Sequence, residues 1–210
     1  EASGVRRGPD MGAPIDFYFD YSSPYGYLAS CRIEALAARH DREVIWHPIL
    51  LGAVFKVTGG QPLPTIPLKG EYVRRDTLRC ARHNGIPLKI PSKFPVATQA
   101  PARATYWVWD RDPAQAKALA AALFRAYFVE DQDISSPEVT VQVAATVGLP
   151  GETLRAVLQA PAVKERLRVE TDAALARGVF GSPFFIVDGE PFWGVDRMDQ
   201  LERWLETGGW

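Results

Sequence analysis

Residues 15–28 read Ile-Asp-Phe-Tyr-Phe-Asp-Tyr-Ser-Ser-Pro-Tyr-Gly-Tyr-Leu, and their periodicity changes in the middle. Residues 15–21 have the pattern of a buried strand with polar ends. Leu28, Cys31 and Ala35 then recur at helical spacing, predicting a helix to about His40 with Cys31 on its apolar face. Ser22-Ser23-Pro24 stands between them, with a hydroxyl residue at the N-cap and proline in the first turn. A strand that feeds straight into a helix leaves the first helical N–H groups pointing at open space, where negative charge is stabilised.

The pattern downstream fills in one kind of domain. Residues 43–48 predict a second strand closed by proline, and residues 49–57 a short apolar helix. Residues 58–69 hold a Gly-Gly pair and three prolines, a loop long enough to be functional. Residues 70–178 are helical throughout, with segments at 71–83, 96–110, 113–129, 136–147, 150–159 and 161–177. The segment 113–129 carries an unbroken apolar stripe through Ala116, Leu119, Ala120, Leu123, Phe124, Tyr127 and Phe128. Strand periodicity returns at 184–187 and 190–193 around an Asp188-Gly189 turn, and a last helix covers 196–205. This order predicts an α/β domain built from two chain ends, 14–58 and 179–210, with an all-helical insertion subdomain over 59–178. Residues 1–13 precede it, and 1–10 read as a loose extension or cloning remnant ahead of a start at Met11.

Composition narrows the function classes. A hydrophobic fraction of 47% over 210 residues supports a sizeable core. The net charge of −1 lacks the Lys/Arg excess of a nucleic-acid groove, and no apolar run reaches the length of a membrane span. Cys31 and Cys80 form no redox or metal spacing, which points to a reducing cytoplasm. His40, His47 and His83 show no metal-ligand spacing either. Tyr106, Trp107 and Trp109 read as core, with an aromatic substrate pocket as the other use for one of them.

Taken alone, Ser22-Ser23-Pro24 is a helix cap, Gly181-Ser182-Pro183 a turn opening a strand, and Asp196 a cap on the last helix. Together with Leu50-Leu51-Gly52, Lys56, Thr58-Gly59-Gly60-Gln61-Pro62 and Lys69-Gly70, these segments resemble one family. It is the branch of the DsbA-like thioredoxin superfamily that contains 2-hydroxychromene-2-carboxylate isomerases and kappa-class glutathione transferases. The resemblance implies a thioredoxin-like fold with a large helical insertion, and glutathione as the cofactor. Ser23 occupies the position where redox relatives carry their first cysteine, so it is implied to be the catalytic group, donating to the glutathione thiolate. Ser182 and Pro183 correspond to the segment that pairs its backbone with the cysteinyl part, Pro183 being a cis-proline. Asp196 and Arg197 fall at the γ-glutamyl end, and Lys69 and Lys56 at basic positions of the pocket. Gly60 stands where family members usually carry an asparagine that contacts the ligand.

The reaction implied is a glutathione-dependent isomerisation of a small aromatic substrate. A kappa-like transfer uses the same site. A binding domain without turnover and a thiol oxidoreductase are the further readings, the last opposed by the lack of cysteine at 23 and 26. Members of the branch are commonly homodimers, which makes a second copy of the chain a candidate partner.

Overall fold

The structure, a computed structural model, describes residues 12–210; the expectation for residues 1–10 lies outside them. Strand β1 (Ile15–Phe19) lies at the centre of a four-stranded sheet of order β2-β1-β3-β4, with β2 at Val44–Pro48, β3 at Phe184–Val187 and β4 at Glu190–Trp193. β1 runs parallel to β2 and antiparallel to β3, and β3 antiparallel to β4. A central strand has both faces covered, and β1 accordingly buries Ile15, Phe17, Tyr18 and Phe19. Phe17 stacks on Phe185 at 5.4 Å and meets Trp46 edge-on at 5.2 Å. Such aromatic pairs contribute about 0.5–1.5 kcal/mol each beyond the area they bury.

The helical elements are α1 (Pro24–Ser30), α2 (Ile33–Ala38), α3 (Leu51–Thr58), α4 (Lys69–Asn84), α5 (Gln99–Trp109), α6 (Pro113–Phe128), α7 (Pro137–Thr146), α8 (Gly151–Val157), α9 (Pro161–Ala176) and α10 (Met198–Thr207). All four strands come from the two chain ends, and only helices and loops lie between β2 and β3. The apolar stripe of α6 is fully used: Leu119, Leu123, Phe124 and Phe128 are buried, and Phe124 packs on Phe19 at 5.3 Å and on Tyr21 at 4.9 Å. One apolar core thus runs from the sheet through α1 into the helical block. Among the described residues no helix is long and apolar enough to cross a membrane.

Three boundaries differ from the sequence reading. The first helix breaks at Cys31–Arg32, where Arg32 N–H bonds the Ala29 carbonyl three residues back at 3.0 Å, and the Ser30 hydroxyl shares the Tyr27 carbonyl with Cys31 N–H. The break turns Cys31 outward, so it is exposed where an apolar, buried setting is expected. The helix predicted from residue 96 begins at Gln99, with Val96 N–H tied to Ser22 Oγ and the Thr98 hydroxyl to Asp20 ahead of it. Asp196 lies in a 3-10 turn, Val195–Arg197, ahead of α10, and caps nothing with its side chain.

Candidate active site

The site starts where β1 stops. Asp20 is buried, and its carboxylate accepts from Ser22 N–H at 2.9 Å, from Leu51 N–H at the start of α3 at 3.0 Å, and from the Thr98 hydroxyl at 2.8 Å. Burial pushes its pKa upward, and the three donors pull partly back. One carboxylate therefore gathers the β1–α1 turn, α3 and the entry to α5.

Within that turn Ser23 caps α1. Its Oγ accepts Gly26 N–H at 3.0 Å and donates to the Ser182 carbonyl at 3.1 Å. The Ser182–Pro183 peptide is cis, and Ser182 Oγ accepts Asp20 N–H at 3.0 Å. Gly26 is needed for this approach: a Cβ there would stand 2.7 Å from Ser182 Oγ. Ser22 faces elsewhere, its Oγ accepting Val96 N–H at 3.0 Å and so anchoring the loop ahead of α5.

These groups sit at one side of a cleft of about 770 Å³. Its walls come from α3 (Leu51, Phe55, Lys56), the loop 61–64, the loop 94–98 with Phe94 and Val96, and the aromatic pair Phe180 and Trp193. Phe180 and Trp193 meet edge-on at 5.0 Å and both stay substantially exposed. Tyr25 also lines the cleft, its hydroxyl donating to Asp76 of α4 at 2.6 Å. A largely apolar cleft with a few convergent polar groups is the usual form of a small-molecule site.

Of the residues singled out from sequence, Ser23, Ser182 and Lys56 line this cleft, with Pro183 directly behind Ser182, its carbonyl accepting Gly194 N–H at 3.0 Å. Lys69, exposed at the first position of α4, is not among the lining residues, nor is Gly60 beyond the end of α3. Asp196 and Arg197 lie exposed just past β4, with Arg197 Nη1 3.8 Å from Asp196 Oδ2. Tyr106 is core, donating to the Pro48 carbonyl at 2.7 Å, and His47 is held by Asp16 at 2.8 Å on the sheet. Burial and the nearby Asp76 carboxylate push the Cys80 thiol upward, away from the thiolate form. Sequence reasoning missed Asp20 and Thr98. Asp20 carried a signal, a carboxylate placed inside an aromatic run directly before two serines; Thr98 carried none.

A family model described as a DSBA-like thioredoxin domain matches residues 14–206. A 2-hydroxychromene-2-carboxylate isomerase of Sphingobium xenophagum is 31% identical over 93% of this chain and 99% of its own. The human glutathione S-transferase kappa 1 is 26% identical over 91% of this chain and 92% of its own. A solved structure of a 2-hydroxychromene-2-carboxylate isomerase superposes with a TM-score of 0.84 at 29% identity, covering 91% of this chain and 94% of that one. The names these relatives bear are those of enzymes. The chain belongs to the DSBA-like thioredoxin domain family, in the branch that holds the 2-hydroxychromene-2-carboxylate isomerases and the kappa-class glutathione transferases.

Proposed function

We propose that the protein is a glutathione-dependent isomerase of the 2-hydroxychromene-2-carboxylate isomerase type, acting on a small aromatic substrate that carries a conjugated carbonyl. The observation that carries this reading is the Ser23 hydroxyl set against the backbone of Ser182, beside an apolar cleft, with a glycine in the second redox-cysteine position. A hydroxyl that can donate to a sulfur and a backbone carbonyl that can accept from an amide fit the thiol and the cysteinyl amide of glutathione. Held there, glutathione would supply a nucleophilic thiolate for reversible addition to the conjugated double bond.

The residues of this chain do the rest. Ser23, once its hydroxyl turns from the Ser182 carbonyl to the sulfur, favours the charged form. The backbone of Ser182, ahead of Pro183, receives the cysteinyl amide. Asp196 suits an ammonium, while Arg197, Lys56 and Lys69 supply positive charge for carboxylates. At Gly60, where relatives usually carry an asparagine, the Phe55 ring stands 2.9 Å from the place a Cβ would take. Phe55, Phe94, Phe180 and Trp193 offer ring faces and edges to the substrate and shield it from water.

A kappa-like transferase is the second reading, favoured by the 26% identity to that human enzyme across most of both chains. It uses the same thiolate site on an electrophile with a leaving group. The test is conversion of 2-hydroxychromene-2-carboxylate with and without glutathione, beside a halogenated nitroaromatic electrophile. Glutathione-dependent isomerisation with little conjugation is the expected result. Conjugation alone would replace the isomerase reading with the transferase one, and turnover indifferent to glutathione would overturn both. We take the physiological setting to be the cytoplasm, where reduced glutathione is abundant, and the active species to be a homodimer.

A further inference from the structure

Two hydroxyls stand where Ser23 meets the segment ahead of Pro183, and they differ in how fully they are used. A hydroxyl has one proton to give and two lone pairs to receive with. Ser23 Oγ spends both kinds of capacity inside the protein, receiving Gly26 N–H at 3.0 Å and giving its proton to the Ser182 carbonyl at 3.1 Å. Ser182 Oγ receives Asp20 N–H at 3.0 Å, and its proton meets no acceptor among the described residues. A Cβ built on Gly26 would lie 2.7 Å from Ser182 Oγ and 3.4 Å from Ser23 Oγ. Both oxygens therefore flank the first turn of α1, and both residues line the cleft.

We infer that the Ser182 side-chain hydroxyl is a second hydrogen-bond donor to the sulfur of a thiol ligand held beside Ser23. The inference rests on the glutathione reading above and assigns a role to a side chain where that reading uses only the backbone. Ser23 has to release the Ser182 carbonyl before its proton can reach a sulfur. An amide N–H of the ligand, presented to that carbonyl, makes the exchange without loss of a hydrogen bond. Ser182 needs no exchange. The Asp20 N–H holds its oxygen, and the hydroxyl proton is committed to no acceptor among the described residues. Asp20 N–H is itself fixed by the end of β1, so the donor is held by the sheet.

The test compares Ser182→Thr with Ser182→Val, which share a shape and differ in the hydroxyl, alongside Ser182→Ala. Three quantities are read on each: the pKa of bound glutathione by thiolate ultraviolet absorbance, and the affinities for glutathione and for S-methylglutathione by calorimetry. A hydrogen bond to a charged sulfur shifts its pKa by about one unit. The expected result is a thiol pKa about one unit higher in the Val and Ala variants, restored in Thr, with S-methylglutathione affinity unchanged within about twofold throughout. A structural role for Ser182 would instead weaken S-methylglutathione and glutathione together, and that outcome overturns the inference. So does an unchanged thiol pKa in Ser182→Val. Wild-type protein that binds neither ligand overturns the glutathione reading itself, and this inference with it.

Discussion

Replacing Ser23 with alanine removes three things whose sizes differ. The first is the cap on α1, the Gly26 N–H bond at 3.0 Å, worth about 1 kcal/mol at a serine N-cap. The second is the bond to the Ser182 carbonyl at 3.1 Å, worth about 1 kcal/mol net. Together they lower stability by about 2 kcal/mol, which for a chain of this size is a fall of roughly 4–8 °C in melting temperature. The third is the donor to sulfur. A hydrogen bond to a charged group contributes about 1.5–3 kcal/mol, so the thiol pKa should rise by about one to two units and the rate at neutral pH fall about tenfold or more. Glutathione affinity should change far less, since the protonated thiol loses little by the substitution. Ser22→Ala is the contrast: it frees Val96 N–H and costs about 1 kcal/mol of stability, yet should leave the thiol pKa where it was. Paired pH–rate profiles, ultraviolet titration of the bound thiolate and thermal melts measure all of this. A larger pKa rise in Ser22→Ala than in Ser23→Ala would falsify the assignment of the donor.

Cys31 and Cys80 should be dispensable, because one is exposed without a partner cysteine and burial beside Asp76 holds the other as a thiol. The double serine variant should keep full glutathione-dependent turnover, and loss of turnover with the fold intact would revive the oxidoreductase reading. Gly60→Asn should change glutathione affinity by less than about twofold, because Gly60 lies outside the cleft lining. Its Cβ would meet Phe55 Cδ1 at 2.9 Å, so a calorimetric loss of affinity would mean that the Phe55 ring does not yield. For His47, burial pulls the pKa down, but the hydrogen bond to Asp16 and the nearby Glu170 carboxylate outweigh it and hold the net value above the usual 6.5. The stabilisation is then complete below 6.5 and lost as pH rises through the folded value. Melting temperature should fall on raising the pH past 6.5, and His47→Gln should abolish that slope; an identical slope in both would exclude His47 as its source.

The parts of the fold that were legible are those written in local pattern. The period change at Ser22-Ser23-Pro24 located the strand-to-helix junction, and the stripe on residues 116–128 located the helix that completes the core, because burial on one face forces that spacing. Ser23 and Ser182-Pro183 were singled out by the family resemblance, since pattern alone reads them as a cap and a turn; the structure brings the two segments side by side. The walls of the cleft could not. Phe94 to Thr98 form a loop whose place depends on bonds across the chain, Thr98 to Asp20 and Val96 to Ser22, with no periodicity to announce them. The break at Cys31 was hidden for the opposite reason: apolar spacing continues through it, while the backbone bond tightens to Arg32 N–H on the Ala29 carbonyl. Lys69 shows the limit of a motif, since a matched position fixes the residue's place on α4 and not the distance of its ammonium from the cleft.

Reduced glutathione is expected to occupy the groove between Ser23 and Ser182. Calorimetric titration of the full chain with glutathione, repeated on Ser23→Ala, tests this most directly. One molecule bound per chain is predicted, with a proton released to buffer at neutral pH by the wild type and less by the variant. No heat of binding at millimolar glutathione, or equal proton release from both proteins, would contradict it.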